Sequence, residues 1–373
     1  GEPLAARLHQ LPAKRQQTRR RREACAASAL ALVVVPGSFL LTAILPNNFQ
    51  KLHLTGGEES YRLPNQMAAE MLDAEVPGAW MRTLNWRVSE QLVLKFYPDT
   101  MLFYGFLEAL AATAMLGAWV PAARRGLAMR RPGGLSIGEG LALALAATMI
   151  AGYAFYWAHE HAWGHIGWKF NSHAWEVPAR VCGMMAVLFM SLCLLPASKS
   201  SLWLEALGMS WETGLWAHRW LGGAALVMVV AHILFFWAVW HYMGIFPHDV
   251  MSYPMYYPLA PFTAIDWGKP GGADMTIEMM QFIGYPGIIM MGLPPLVRRK
   301  HYEVFKYLHY MFLVLVPMTM VHAHNAWYFL FGGATFWLAD AGMRLVSAAS
   351  TCALVSAQAH EAEGGVTELR FEK

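Results

Sequence analysis

Four histidines set the chemistry of this sequence. His218 and His232 stand fourteen residues apart in GLWAHRWLGGAALVMVVAHILFFW, and His309 and His322 stand thirteen apart in VFKYLHYMFLVLVPMTMVHAH. Both stretches are apolar enough to sit in hydrocarbon, where an ionisable side chain is expensive and marks function. At about 1.5 Å of rise per residue, each pair is separated by roughly 20 Å along its helix. On two helices running in the same direction, His218 lies level with His309 and His232 with His322. Two imidazoles at one depth grip a flat metal macrocycle from both faces, which is bis-histidine haem ligation; two such pairs stack two haems across a bilayer. Two imidazoles alone make an incomplete zinc or copper site. A lone histidine is explained by an interhelical hydrogen bond, whereas four at matching depths favour haem.

Helical phase supports one pair of spacings and not the other. Fourteen residues turn about 1,400°, which leaves His232 about 40° off the face of His218. Thirteen leave His322 about 140° away from His309, so a straight helix would miss. Pro317 lies between them and removes a backbone hydrogen bond, and a kink or change of winding is predicted there.

The elements that carry these histidines follow from composition. Of 373 residues, 56% are hydrophobic and 14% charged, against about 25% charged in a soluble domain. That deficit excludes a water-soluble enzyme, a disordered tail and a nucleic-acid binder. About 20 apolar residues cross the hydrocarbon core. Eight spans are read, at 25–45, 100–120, 137–157, 179–196, 215–240, 278–296, 304–323 and 327–347, giving an all-α polytopic membrane protein. The first span is too long for a signal-peptide core and lacks a clean cleavage pattern, so it is kept as a span. The chain begins at Gly1, and processing before that point is expected. Segments 1–24, 121–136, 197–214 and 297–303 carry seven, four, one and three lysines and arginines. The opposite segments, longer in total, hold seven. The basic segments, with Arg19 to Arg22 as topological anchor, put both termini on the cytosol-like side. Plasma and organelle membranes both stay open, and no Asn-x-Ser/Thr site is present. The four cysteines, Cys25, Cys182, Cys193 and Cys352, are scattered and offer neither a disulfide framework nor a zinc knuckle. After the last span the composition changes: 351–372 alternates apolar and polar residues around Gly364-Gly365 and reads as a β-hairpin.

Weaker signals flank the four histidines. Residues 158–173, AHEHAWGHIGWKFNSH, bring His159, His161, His165 and His173 to the far side. His161 and His165 share a helical face and are candidates to collect an acceptor metal ion, with Glu160 adding charge; Trp and His packed among headgroups is the simpler reading. Position 163 is Trp, so the HExxH zinc pattern is absent. His241, His248, Met243, Met251 and Met255 invite a copper site, although methionine on an apolar surface is more often packing. His324 is placed to touch a haem propionate or the substrate, or to cap a helix. Arg219 and Lys306 are candidates to neutralise propionates, Arg219 the better of the two, with snorkelling to the interface as the alternative. Phe312, Leu315 and Met228 fall at depths between the haems. Asp340 is a lone intramembrane acid that pairs locally or serves a proton route.

The run LLPASKSSLWLEALGMSWETGLWAHRWLG (194–222), the histidine spacings of fourteen and thirteen, and the strand ALVSAQ (353–358) resemble the ferric reductase superfamily. That family includes NADPH oxidases, yeast ferric reductases and plant ferric-chelate reductases. Its six-helix di-haem core would map onto 137–347. Two additional helices within 25–136, joined by a long far-side loop, resemble the plant members more than the oxidases. Residues 1–24 form a basic cytosol-side segment, and 348–373 read as the beginning of an FAD-binding β-barrel. The resemblance implies that His218, His309, His232 and His322 ligate the irons of two b-type haems. It also implies an FAD-binding barrel and an NADPH-binding α/β domain beyond the membrane part. No HPFT-type flavin motif and no Gly-x-Gly-x-x-Gly loop after a strand is present, so the dehydrogenase is expected in cis on a longer chain, or as a separate partner.

The function expected is transmembrane electron transfer: from NAD(P)H and FAD on the inner side, through both haems, to a ferric chelate or other metal acceptor outside. With histidine on both faces of each iron, the acceptor is reduced by outer-sphere transfer. The alternatives are a superoxide-producing NADPH oxidase, with oxygen as acceptor, and a non-catalytic b-type cytochrome subunit of a larger membrane complex. The expected partners are therefore the lipid bilayer, a small acceptor and a flavin dehydrogenase; nucleic acid is not among them.

Overall fold

The computed structural model describes residues 21, 23–53, 84–87, 93–130, 134–164, 173–197, 203–204, 207–242, 284–293, 295, 298–323, 325–348, 353–360 and 366–372. Among the described residues the chain is mostly helical, and five helices there are long and apolar enough to cross a membrane: Glu23–Ile44, Pro98–Trp119, Ile137–Ala158, Trp175–Ala197 and Trp211–Val239. These coincide with the first five expected spans. The first contains a π-helical turn, Leu30–Val34, before α1, Val35–His53. Then follow α2, Pro98–Trp119, the short α3, Pro121–Ala128, and α4, Ile137–Gly164. Next come α5, His173–Leu194, and α6, Trp211–Tyr242.

Helices also lie within the remaining three expected spans. Within 278–296 the described helix is α7, Tyr285–Gly292. The stretch 304–323 is divided into α8, Tyr302–His309, and α9, Phe312–His322. The last, α10, is one helix, Asn325–Ala348. A short hairpin, β1 Leu84–Arg87 with β2 Val93–Phe96, lies in the 46–99 loop, where the sequence signalled no strand. The C-terminal hairpin forms where alternation placed it: β3, Ala353–His360, pairs antiparallel with β4, Val366–Glu372.

Proline and capping chemistry explain several boundaries. Pro98 opens α2 at a position where its missing N–H costs nothing. Pro121 follows the extended Val120 and starts a new helix rather than prolonging the old one. At the head of α4, Ser136 and Glu139 form a capping box: the Ser136 N–H donates to Glu139 Oε2 at 2.7 Å, and the Glu139 N–H donates to Ser136 Oγ at 3.0 Å. The other oxygen of Glu139 accepts from Thr213 Oγ1 at 3.0 Å, tying the start of α4 to the first turn of α6. A side chain at Gly138 would run into the Leu207 carbonyl, so glycine is what permits this contact. Gly208 adopts φ +69 in the turn ahead of α6, a left-handed conformation that glycine takes without strain. Together these contacts fix where α6 begins, and hence the height of His218 two turns later.

The core is an interhelical one. Phe103 and Leu107 of α2, Met149 and Tyr153 of α4, Leu188 of α5, and Phe329 and Leu330 of α10 are fully buried against one another. Phe329 sits edge-on to Phe103 at 5.2 Å and to Tyr153 at 5.0 Å between ring centres. Lipid is as apolar as these side chains, so close packing and interhelical hydrogen bonds hold the bundle. Ser191 Oγ supplies one such bond, donating to the Phe329 carbonyl at 2.6 Å. Large apolar side chains point outward as lipid contact requires, Leu32 being 67% exposed and Trp220 65%. The chain is an integral membrane protein.

Candidate functional site

α5 and α6 are antiparallel neighbours, and both histidines of α6 lean on the α5 backbone. His218 Nδ1 lies 2.9 Å from the carbonyl oxygen of Cys193, and His232 Nδ1 lies 2.7 Å from that of Ala179. Ala179 and Cys193 are fourteen residues apart, as are the two histidines, so one spacing answers the other. A carbonyl can only accept, so in both rings Nδ1 carries the proton and donates. The lone pair is then on Nε2, facing away from α5.

The two acceptor carbonyls differ in origin. Cys193 lies in the last turn of α5, where carbonyls lack an α-helical partner. Its Sγ also stands 3.1 Å from His218 Nδ1 and donates to the His218 carbonyl at 3.3 Å. Ala179 lies near the other end of α5, one residue after Pro178, and its carbonyl is reached across Gly183.

α8 and α9 bring the partner histidines. The His309 ring centre is 6.0 Å from that of His218 with the planes at 82°; His322 is 6.3 Å from His232, also at 82°. The structure thus brings His218 next to His309 and His232 next to His322. An imidazole nitrogen binds a first-row metal at about 2.0–2.1 Å, so two imidazoles on opposite sides of one metal have ring centres about 6.3 Å apart. Both pairs have that separation, and perpendicular ring planes are compatible with a macrocycle between them. Phe305, one turn before His309, stacks on its ring at 5.2 Å and 25°, and Nδ1 of His309 is buried without a hydrogen-bond partner among the described residues. Phe236, one turn after His232, meets that ring at 4.9 Å. Among the described residues, no three His, Cys, Asp or Glu side chains converge on one point, so the donor set is two separate imidazole pairs.

The change of winding lies elsewhere than at Pro317. Pro317 sits inside α9, whereas the helix is interrupted at Tyr310–Met311, directly after His309. There the N–H groups of Tyr310, Met311, Leu313 and Val314 donate to carbonyls three residues back: Tyr307, Leu308, Tyr310 and Met311. Such 3₁₀ bonding turns each residue by about 120° rather than about 100°. The overwound stretch recovers much of the phase that a straight α-helix lacks and brings His322 round towards the face of His309.

The secondary candidates are placed as follows. Arg219 and Lys306 are exposed, and neither makes an ion pair among the described residues. Phe312 lies 6.2 Å from the His309 ring and 5.9 Å from Trp337. Leu315 is buried opposite Gly287, Met228 packs against the core, and Asp340 is buried in α10. His241 is exposed in the last turn of α6. His159 and His161 fall in α4 and His173 opens α5, but their side chains lie outside the described residues, as do His165, His248, Met243, Met251, Met255 and His324.

Residues 182–320 match the family model described as ferric reductase like transmembrane component, an interval that contains His218, His232 and His309 and ends two residues before His322. Among curated proteins, ferric reduction oxidase 2 of Arabidopsis thaliana is 23% identical over 199 residues, 53% of this chain and 25% of its own length. Ferric reduction oxidase 3, mitochondrial, from the same plant is 23% identical over 193 residues, 51% of this chain and 24% of its own length. The chain thus covers about a quarter of the length of these relatives. No solved structure matches significantly. Residues 182–320 are thus similar to the transmembrane component of ferric reductases, and the chain is distantly similar to plant ferric reduction oxidases.

Proposed function

We propose that this chain is the membrane-crossing electron carrier of a metalloreductase, holding two b-type haems between α6 and the α8–α9 pair. His218 and His309 would hold the inner haem, and His232 and His322 the outer. The observation that carries the reading is the double pair itself, 6.0 and 6.3 Å between ring centres, within a segment of ferric reductase character. A haem bound at each pair supplies one-electron relay chemistry.

The chain's own part is to orient and to exclude. The Cys193 and Ala179 carbonyls keep Nδ1 protonated in His218 and His232, so that Nε2 is the ligating nitrogen. Phe305 holds the His309 ring by stacking. Phe312, Leu315 and Met228 keep water out of the interval between the pairs, and Arg219 neutralises a propionate at the inner one. Expected spans six to eight complete an eight-helix molecule whose six-helix core is 137–347, with β3 and β4 opening a flavin-binding barrel. A dehydrogenase in cis or in trans would supply the electrons from NAD(P)H by way of FAD, and a ferric chelate or another small metal acceptor would take them.

The test is a visible spectrum of the protein purified in detergent, recorded as isolated, after NADPH and after dithionite, with a haem assay. Two haems per chain with b-type bands are expected on dithionite reduction. Reduction by NADPH would show a flavin dehydrogenase travelling with the chain; reduction by dithionite alone would favour a carrier subunit. Absence of b-type bands would remove the four-histidine assignment.

A further inference from the structure

The Ala179 carbonyl lies about two turns inside α5, which creates a requirement that the Cys193 carbonyl does not. A helix presents side chains outward, so a ring that hydrogen-bonds to a backbone carbonyl in the body of a helix must pass between them. His232 does this at Gly183. A Cβ built on Gly183 would lie 2.6 Å from His232 Nδ1, 2.8 Å from Cε1 and 3.4 Å from Cγ. Real Cβ atoms do not come that close, and the obstruction falls on the near edge of the ring rather than on a flexible tip. Every L-side chain at 183 therefore pushes the imidazole off α5 and breaks its 2.7 Å bond to Ala179. At the His218 end the helix is finishing, and the carbonyl is reached beyond its last turn.

We infer that Gly183 is a positioning residue for the His232–His322 site alone: its missing side chain is the notch that lets α5 fix the tautomer and rotation of His232. The inference rests on the haem-ligation reading above. The notch acts through His232 and has no contact with His218 or His309, so its loss should be felt at one site and not at both. A donated Nδ1 proton makes an imidazole a stronger electron donor, and loss of such a second-layer partner weakens metal affinity about 10–100-fold.

The experiment compares the full chain with Gly183→Ala, His232→Ala and the double variant, and uses Gly105→Ala as control, since a Cβ there meets nothing within 4 Å. Haem per chain, the low-spin electron paramagnetic resonance signals and a redox titration are measured in detergent. In Gly183→Ala, one low-spin signal should shift or vanish and the other persist. A haem retained at that site should titrate at a higher potential, because its ligand donates less. In the His232→Ala background the added methyl group has no ring to displace, and Gly183→Ala should leave haem content unchanged and should not lower thermal stability. If Gly183→Ala alone does not fold, recovery of monodisperse one-haem protein in the double variant supports the notch; failure to recover overturns it. Two unchanged signals in folded Gly183→Ala, or equal damage to both, also overturn it while leaving haem ligation standing. A wild-type protein without haem overturns the ligation reading itself, and the notch with it.

Discussion

A haem gripped from two sides depends on both hands. Removing His309 should cost the same haem as removing His218, and removing His322 the same as removing His232. We expect His218→Ala and His309→Ala each to bring haem from two per chain to one, and the double variant to remain at one. A cross-pair double, His218→Ala with His232→Ala, should reach zero. Haem assay and difference spectra read this directly, and simple additivity within a pair would contradict shared ligation, because residues acting as a unit are non-additive. The four histidines were legible in the sequence because an ionisable group in an apolar span needs a reason. The groups that orient them were not. Ala179 and Cys193 act through backbone carbonyls, which every residue has, and Gly183 acts by lacking a side chain. The only trace available was the second fourteen-residue interval, from Ala179 to Cys193, lying antiparallel to the first. Phe305 was within reach of pattern reasoning, since a ring one turn before His309 shares its face.

At the scale of the element, the instructive contrast is between Pro317 and the Tyr310–Met311 interruption. Proline is the visible breaker in a sequence, so the phase change was expected there; the protein keeps Pro317 inside α9 and overwinds the turn after His309 instead. Nothing in YLHYMFLV announces 3₁₀ bonding, because winding of this kind is set by which ring each histidine must meet. Two variants separate the sites. Pro317→Ala should keep both haems and raise the unfolding temperature, an interior proline costing up to about 3 kcal/mol relative to alanine. Deleting Met311 turns everything beyond it back by about 100°, further from the face of His309. It should remove the His322 site and spare the His309 site, leaving one haem. The first five spans and the C-terminal hairpin were readable because length, hydropathy and alternation are local properties. The β1–β2 hairpin was missed in a long loop of mixed composition, where period-two alternation runs for only a few residues.

For the whole molecule, the two pairs are also two ends. The head of α4, the turn ahead of α6 and α3 meet at one end through the Glu139–Thr213 bond and the Gly208–Ala128 approach. The first span joins them there through Trp119 Nε1, which donates to Ser28 Oγ at 2.8 Å, and through the Arg124–Glu23 ion pair at 3.6 Å. Arg124 and Arg125 of α3 thus gather at the His218 end, about 20 Å from His232. If that basic end faces the cytosol, as lysine and arginine bias generally has it, each electron passed from the first pair to the second moves negative charge outward. Such movement opposes further transfer by about 2.3 kcal/mol for every 100 mV it builds. The chain reconstituted in sealed vesicles, with dithionite outside and ferricyanide trapped inside, should therefore reduce the trapped acceptor quickly at first and then slow as the potential rises. Valinomycin with potassium should restore the initial rate, and His232→Ala should lower it with or without valinomycin. A steady rate indifferent to valinomycin would mean that the electrons do not cross the field, and the two pairs would then have to serve an acceptor on the side from which the electrons came.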